Sequence, residues 1–290
     1  MRLKDIYNKE KVSLKKPIIS FEIFPPKDSS TENLEKIIKE LNGLMCFEPK
    51  LISITYGAGG STRNNSLDLT KIVKKNFDVE VMPHLTCVNA TNEFINDYLL
   101  ELKAIGINNV LALRGDLSDD NSLNVLDFKY ANELVKFIKQ NTDISLAVAG
   151  YPEGHVESKC LDVDLLNLKK KVDEGADVIY TQLFFDNEYY FKYVDKVREL
   201  GINIPVIPGI LPITNYHQIF KMSELCKVTI PECLLMELHK YKDDNSAIRE
   251  IGMDFASNQL EKLTNFGVDG VHFYILNKAN PTVNLLKNLL

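Results

Sequence analysis

The chain has 290 residues, 45% hydrophobic and 26% charged, an ordinary globular composition with ample apolar material for a large core. A formal net charge of −6 argues against a nucleic-acid or membrane-surface protein, whose basic residues gather on one face, while leaving room for a local basic pocket. Five cysteines, odd in number and without a C-x-x-C pair, suggest neither a disulfide framework nor a zinc site; no signal-like segment or span of about 18 apolar residues occurs, so a soluble cytoplasmic protein is expected.

The first predicted strand is PIISFEIF, Pro17 to Phe24, apolar except for Ser20 and Glu22 and stopped by Pro25 and Pro26. A helix follows over TENLEKIIKELNGL, with Thr31 as the expected cap and Gly43 near its end. Strands are then predicted at Lys50 to Tyr56, Val79 to Thr86, Asn108 to Arg114, Asp143 to Gly150, Asp177 to Leu183, Asn203 to Ile210 and Gly270 to Leu276. Helical patterns separate them, among them Thr91 to Gly106 and the stretch from Asp162 to Gly175. Near-continuous apolar strands alternating with helices mean parallel pairing with both faces covered. Eight such units predict an α/β fold, an eight-stranded parallel β/α (TIM) barrel forming a single domain over residues 1–290. Lys221 to Lys262 is too long for one helix and is broken by Pro231, so an extra helix is expected between strands seven and eight.

In such a barrel the polar strand ends form the reactive mouth. Here they offer Glu22; Thr55 and Tyr56 before GAGGST; His84; Arg114, Gly115 and Asp116; Tyr151 and His155; Gln182; and Tyr274 and Lys278. Each has a plainer reading alone. The glycine turn at Gly57 to Gly60 can merely precede a helix, His84 can be a bonded core histidine, Arg114 and Asp116 can be a structural pair, Phe184 and Phe185 can be packing, and Lys169 to Lys171 can be a solvated helix face. Gathered at one end of a barrel, they outweigh those readings. Two carboxylates without a metal-ligand cluster or a Ser/His/Asp set favour proton-coupled chemistry on a bound organic cofactor.

The ordered motifs SFEIFPPK, SITYGAGGST, PHLTC, LRGD, AGYPEGH, DLLNLKKKVDEGAD, TQLFFD, IPGILP and HFYILNK span Ser20 to Lys278. In this set the chain resembles the catalytic barrel of methylenetetrahydrofolate reductase, in its short bacterial form. The resemblance implies a ping-pong enzyme: FAD accepts a hydride from NADH or NADPH, and methylenetetrahydrofolate replaces the spent donor and is reduced. By motif, Glu22 is implied as the general acid, and Asp116 as a catalytic group near flavin and folate. FAD contacts are implied for Thr55, Tyr56, Ala58, His84, Arg114, Gly115, Tyr130, Ala131, Tyr151, His155, Asp164, Asn167, Lys170 and Lys171, and substrate contacts for Gln182, Gln218, Met222, Tyr274 and Lys278. Two positions depart from the family pattern. Lys278 stands where an arginine is usual, which keeps the charge but loses the planar fork, and Met222 stands where some members carry phenylalanine. Those departures keep a second reading open, a flavin- or folate-binding subunit fed by a partner protein. The resemblance also implies a homo-oligomer.

Overall fold

The computed structural model describes residues 1–7, 16–26, 28, 30–56, 63–116 and 127–287. Strands β1 (Ile18–Ile23), β2 (Leu51–Ile54), β3 (Glu80–Thr86), β4 (Asn109–Leu113), β5 (Ser145–Gly150), β6 (Val178–Leu183), β7 (Val206–Ile210) and β8 (Gly270–Tyr274) pair in sequence order, all parallel. The β8–β1 pair closes the barrel and sets Ser20 beside His272 and Glu22 beside Tyr274. Each predicted strand is present, shortened by a few residues at its ends.

The helices are α1 (Thr31–Asn42), α2 (Arg63–Asn76), α3 (Asn92–Ala104), α4 (Ala131–Asn141), α5 (Leu161–Asp173), α6 (Asn187–Glu199), α7 (Tyr216–Cys226), α8 (Glu232–Lys240), α9 (Asn245–Phe266) and α10 (Ala279–Lys287). Thr91 caps α3 as expected, its side chain accepting from the Phe94 amide at 3.1 Å. Thr31 does not cap α1: it is the first helical residue, Ser30 occupies the cap position, and neither backbone geometry nor a side-chain bond makes a classical cap there. The connection from β7 to β8 holds three helices, α7, α8 and α9, so the excess over a regular barrel is larger than one helix. Pro231 stands at the cap of α8, where it ends one segment by starting the next. No helix among the described residues is long and apolar enough to cross a membrane.

Alternation along the strands divides the apolar residues in two. Ile19, Phe21, Ile52, Val81, Val148 and Phe273 belong to the cluster that packs on the helices. Ile18, Leu51, Met82, Leu111, Val178 and Ile207 form a second cluster inside the barrel. Two residues further along the same inward face, the side chains turn polar at Ser20, Ser53, His84, Tyr180 and His272. Another two residues on come Glu22, Thr55, Thr86, Gln182 and Tyr274. The lower end is closed by the helical residues 3–7, whose Leu3, Ile6 and Tyr7 join the inner cluster and are at most 1% exposed. Burying each contributes roughly 1.5–3 kcal/mol relative to leaving it in water.

Candidate active site at the barrel mouth

Glu22 lies near the upper end of β1 and is buried, 7% exposed. Its Oε2 is 3.5 Å from His84 Nε2 and 3.9 Å from His272 Nε2, so the carboxyl sits between two imidazoles. Burial is the main reason that His84 titrates down at about 4; Glu22 opposes the fall and His272 adds to it. At neutral pH this ring is uncharged, and its buried Nε2 has no hydrogen-bond partner among the described residues. His272 is held by Ser20 Oγ at 2.8 Å from Nδ1 and by Ser53 Oγ at 3.3 Å from Nε2.

Beside Glu22 in register, the Tyr274 hydroxyl donates to the Thr181 carbonyl at 2.7 Å. Its ring fits because β7 carries Gly209, where a Cβ would come within 2.5 Å of the ring. Burial, with Glu22 next in importance, holds the Tyr274 phenol well above its ordinary range. The Cys226 thiol at the end of α7 is pushed up to about 11, first by burial and then by Glu22.

A cleft of about 490 Å³ opens between the upper ends of β4 and β5, the start of α4 and one side of α5 from Val163 to Lys171. Nine of the residues assigned to FAD by motif line it: Arg114, Tyr130, Ala131, Tyr151, His155, Asp164, Asn167, Lys170 and Lys171. Arg114 donates to both Glu157 oxygens, at 2.5 and 2.6 Å, and from Nε to the Gly115 carbonyl at 3.0 Å. Gly115 follows with φ +88, a left-handed turn that favours glycine. Tyr151 and His155 meet edge to face at 4.7 Å.

Half-buried Lys171 donates to the Ala149 carbonyl at 2.6 Å. Desolvation lowers it to about 8, against the pull of Asp164. Asp164 is itself raised by burial, which Lys171 and His155 oppose. Lys170 donates to Asn167 at 3.1 Å, whereas Lys169 pairs with Asp173. Lys169 lies outside the cleft lining, whereas exposed Lys170 and half-buried Lys171 belong to it.

The remaining expected residues fall elsewhere. His84 belongs with Glu22 and not with the cleft lining. Thr55 and Tyr56 end β2 outside that lining, with Tyr56 edge to face on Tyr98 at 6.1 Å. Asp116 is exposed at the end of β4 and acts electrostatically on Arg114 and Tyr151. Gln182 is half-buried and turns its Oε1 to the Leu183 amide at 2.8 Å. Gln218, Tyr274 and Lys278 line one small dent at the α7 side of the mouth, and Met222 packs in the apolar cluster with Tyr274 and Leu276. Phe184 is packing, stacked on Tyr190 at 5.3 Å. Ala58, with the rest of the glycine turn and Ser61 and Thr62, lies outside the described residues.

Sequence reasoning missed His272, Ser20, Ser53 and Glu157. The first two share the inward parity of Tyr274 and Glu22, a signal available from alternation alone. It also missed Glu153, whose carboxylate oxygens take the Thr229 amide at 2.9 and 3.2 Å and so join the β5 loop to the α7–α8 connection. Among the described residues, no group of three or more His, Cys, Asp or Glu is arranged to hold a metal ion.

The methylenetetrahydrofolate reductase family pattern matches residues 7–290. An Arabidopsis thaliana protein, methylenetetrahydrofolate reductase (NADH) 1, is 39% identical over 93% of this chain. The chain spans about half of that relative, 48% of its length. The 5,10-methylenetetrahydrofolate reductase of Escherichia coli is 35% identical, with 93% of this chain covering 90% of the relative. Among solved structures, a Clostridium thermocellum protein described as binding two copies of 5-methyl-5,6,7,8-tetrahydrofolic acid superposes with a TM-score of 0.63 over 98% of each chain. At 14% identity that likeness speaks to the fold alone.

Proposed function

The chain belongs to the methylenetetrahydrofolate reductase family, and from that premise we propose that it reduces methylenetetrahydrofolate to methyltetrahydrofolate with electrons drawn from NADH through bound FAD. The observation that carries the reading is Glu22, a buried carboxyl between two histidines at the head of a barrel whose rim holds a cation-bearing cleft. NADH as donor draws on the plant relatives whose names specify it.

The cleft suits a flavin dinucleotide by its chemistry. Lys170 and Lys171 supply cations for a diphosphate, Asp164 supplies an acceptor for sugar hydroxyls, and Arg114 stays tied to Glu157 as a neutral wall. A bound flavin supplies the two-electron carrier that joins the nicotinamide and folate steps. Glu22 donates the proton that opens the methylene bridge at the folate nitrogen, and a group that donates near neutral pH must first hold a proton there. His84, uncharged, lies 3.5 Å from it. Asp116 engages the folate ring and adds negative charge near the flavin, and Gln182 contacts the nicotinamide and folate in turn. Gln218, Tyr274 and Lys278 take the far side of the folate, with Lys278 holding its glutamyl carboxylate as a point charge and without the arginine fork.

Anaerobic rapid mixing tests the proposal. Protein reconstituted with FAD should be bleached by NADH and recoloured by methylenetetrahydrofolate. A protein that takes up no FAD overturns it; one that binds FAD but accepts electrons only from another protein replaces NADH in the scheme.

A further inference from the structure

The chain leaves β8 through a turn that local preference does not explain. Leu276 and Asn277 have φ +49 and +57, the only two successive left-handed residues among the described residues. The Lys278 amide donates to the Ile275 carbonyl at 2.9 Å, and that bond around two positive φ angles is the pattern of a type I′ turn. Asparagine tolerates the left-handed region, but a bulky side chain such as that of Leu276 rarely enters it.

Backbone held in a sparsely populated region persists where its surroundings over-determine it, and such places gather at functional sites. Here three successive residues are pinned. The Asn277 carboxamide takes the Phe24 peptide at both ends: Oδ1 accepts from the Phe24 amide at 2.8 Å, and Nδ2 donates to the Phe24 carbonyl at 2.9 Å. Lys278 is held by the turn bond itself, and the Ala279 amide donates to Glu40 of α1 at 2.6 Å.

The register of β1 on β8 ends with Glu22 beside Tyr274. Two residues past Glu22, beyond the end of β8, the Asn277 side chain supplies Phe24 with the donor and acceptor that a neighbouring strand would have given it. The turn also brings the chain back. An extended strand rises about 3.3 Å per residue and would carry Lys278 roughly 13 Å beyond Tyr274. Instead Lys278 and Tyr274 line one dent together with Gln218.

We propose that Asn277 is a positioning residue and a determinant of tail specificity: clamped on the Phe24 peptide, its carboxamide holds the turn that sets Lys278 against the glutamyl carboxylate of the folate, at a fixed offset from Glu22. Lysine has no planar fork to lock a carboxylate, so the placement of its backbone decides how well one ammonium on a flexible stem meets that charge. Asn277 acts through Lys278 and needs no contact with folate. The proposal rests on Lys278 as the partner of the glutamyl carboxylate.

The test uses full-chain protein reconstituted with FAD and two ligands that differ only in the tail. One is methyltetrahydrofolate; the other is its pteroyl-methylamide counterpart, which keeps the benzoyl amide and lacks both tail carboxylates. Asn277→Gly removes the carboxamide while leaving the left-handed backbone permitted, and Asn277→Ala removes it without adding the freedom of glycine. By calorimetry, Lys278→Met should weaken methyltetrahydrofolate about tenfold and leave the methylamide unchanged. Asn277→Gly should weaken methyltetrahydrofolate about fivefold, again without effect on the methylamide, and should add less than about twofold in the Lys278→Met background. In rapid mixing, the limiting rate of flavin reoxidation by saturating methylenetetrahydrofolate should stay within about twofold of wild type, an effect on affinity and not on the chemical step.

Unchanged affinity for methyltetrahydrofolate in Asn277→Gly, equal weakening of both ligands, or full additivity with Lys278→Met each overturns the proposal. Asn277→Ala, alone and with Lys278→Met, is read the same way should the glycine variant not fold. Failure of the underlying reading is separate: Lys278→Met then binds methyltetrahydrofolate as tightly as the wild type, and the proposal falls with it.

Discussion

The two ends of the barrel interior use the same strands for opposite purposes. At the lower end Leu3, Ile6 and Tyr7 fill the opening, the Leu3 amide donates to Asn109 Oδ1 at 2.8 Å, and the Met1 ammonium meets Glu80 at 2.6 Å. At the mouth a buried imidazole nitrogen lacks a hydrogen bond among the described residues, a carboxyl lies between two histidines, and a lysine is partly desolvated. One end has its polar groups matched and its apolar surface covered; the other leaves groups poised for something that arrives. Stability and chemistry are thus separated along the barrel axis by about four residues of strand.

Three substitutions or conditions probe that separation. The largest effect is expected at the mouth: Glu22→Gln should slow folate reduction at least about a hundredfold while reduction by NADH stays nearly intact, as read by rapid mixing of each half-reaction. Its unfolding midpoint should not fall, because the change relieves a buried carboxyl. At the lower end Leu3→Ala should cost about 2–5 kcal/mol in urea unfolding and leave FAD affinity unchanged. If it also abolished FAD binding, the two ends would not be independent.

The smallest effect belongs to pH. Lys171 titrates at about 8, below its ordinary value, so in the flavin-free protein its charge is present below that pH and is lost as pH rises through it. FAD affinity, measured by fluorescence quenching, should weaken about tenfold between about pH 7 and about pH 9.5, and Lys171→Met should flatten that dependence.

The fold was legible because parallel strands buried on both faces read as apolar runs, and the helices between them carry ordinary stop signals. The site was legible where a strand end carries a polar side chain, as at Arg114 and Tyr151. It was less so where the polar group lies one layer down. His272 is two residues before Tyr274 on the same face, but in sequence it looks like a lone histidine in a strand. Tyr180 reads as an ordinary strand tyrosine until Tyr7, 173 positions away, meets its hydroxyl. Glu157 looks like any surface acid, and only folding sets it against Arg114. Thr31 misled because serine and threonine are adjacent there and cap preference does not choose between neighbours.

The bond from Glu153 to the Thr229 amide makes one backbone proton an indicator of two loops at once. The β5 loop carries Tyr151 and His155 of the cleft, and the α7–α8 connection follows the helix that carries Gln218 and Met222. Exchange of that amide with deuterium requires the loops to part, so its rate clocks how often the mouth opens. Slowing of the clock by FAD alone, or by folate alone, would tell which visitor shuts the door.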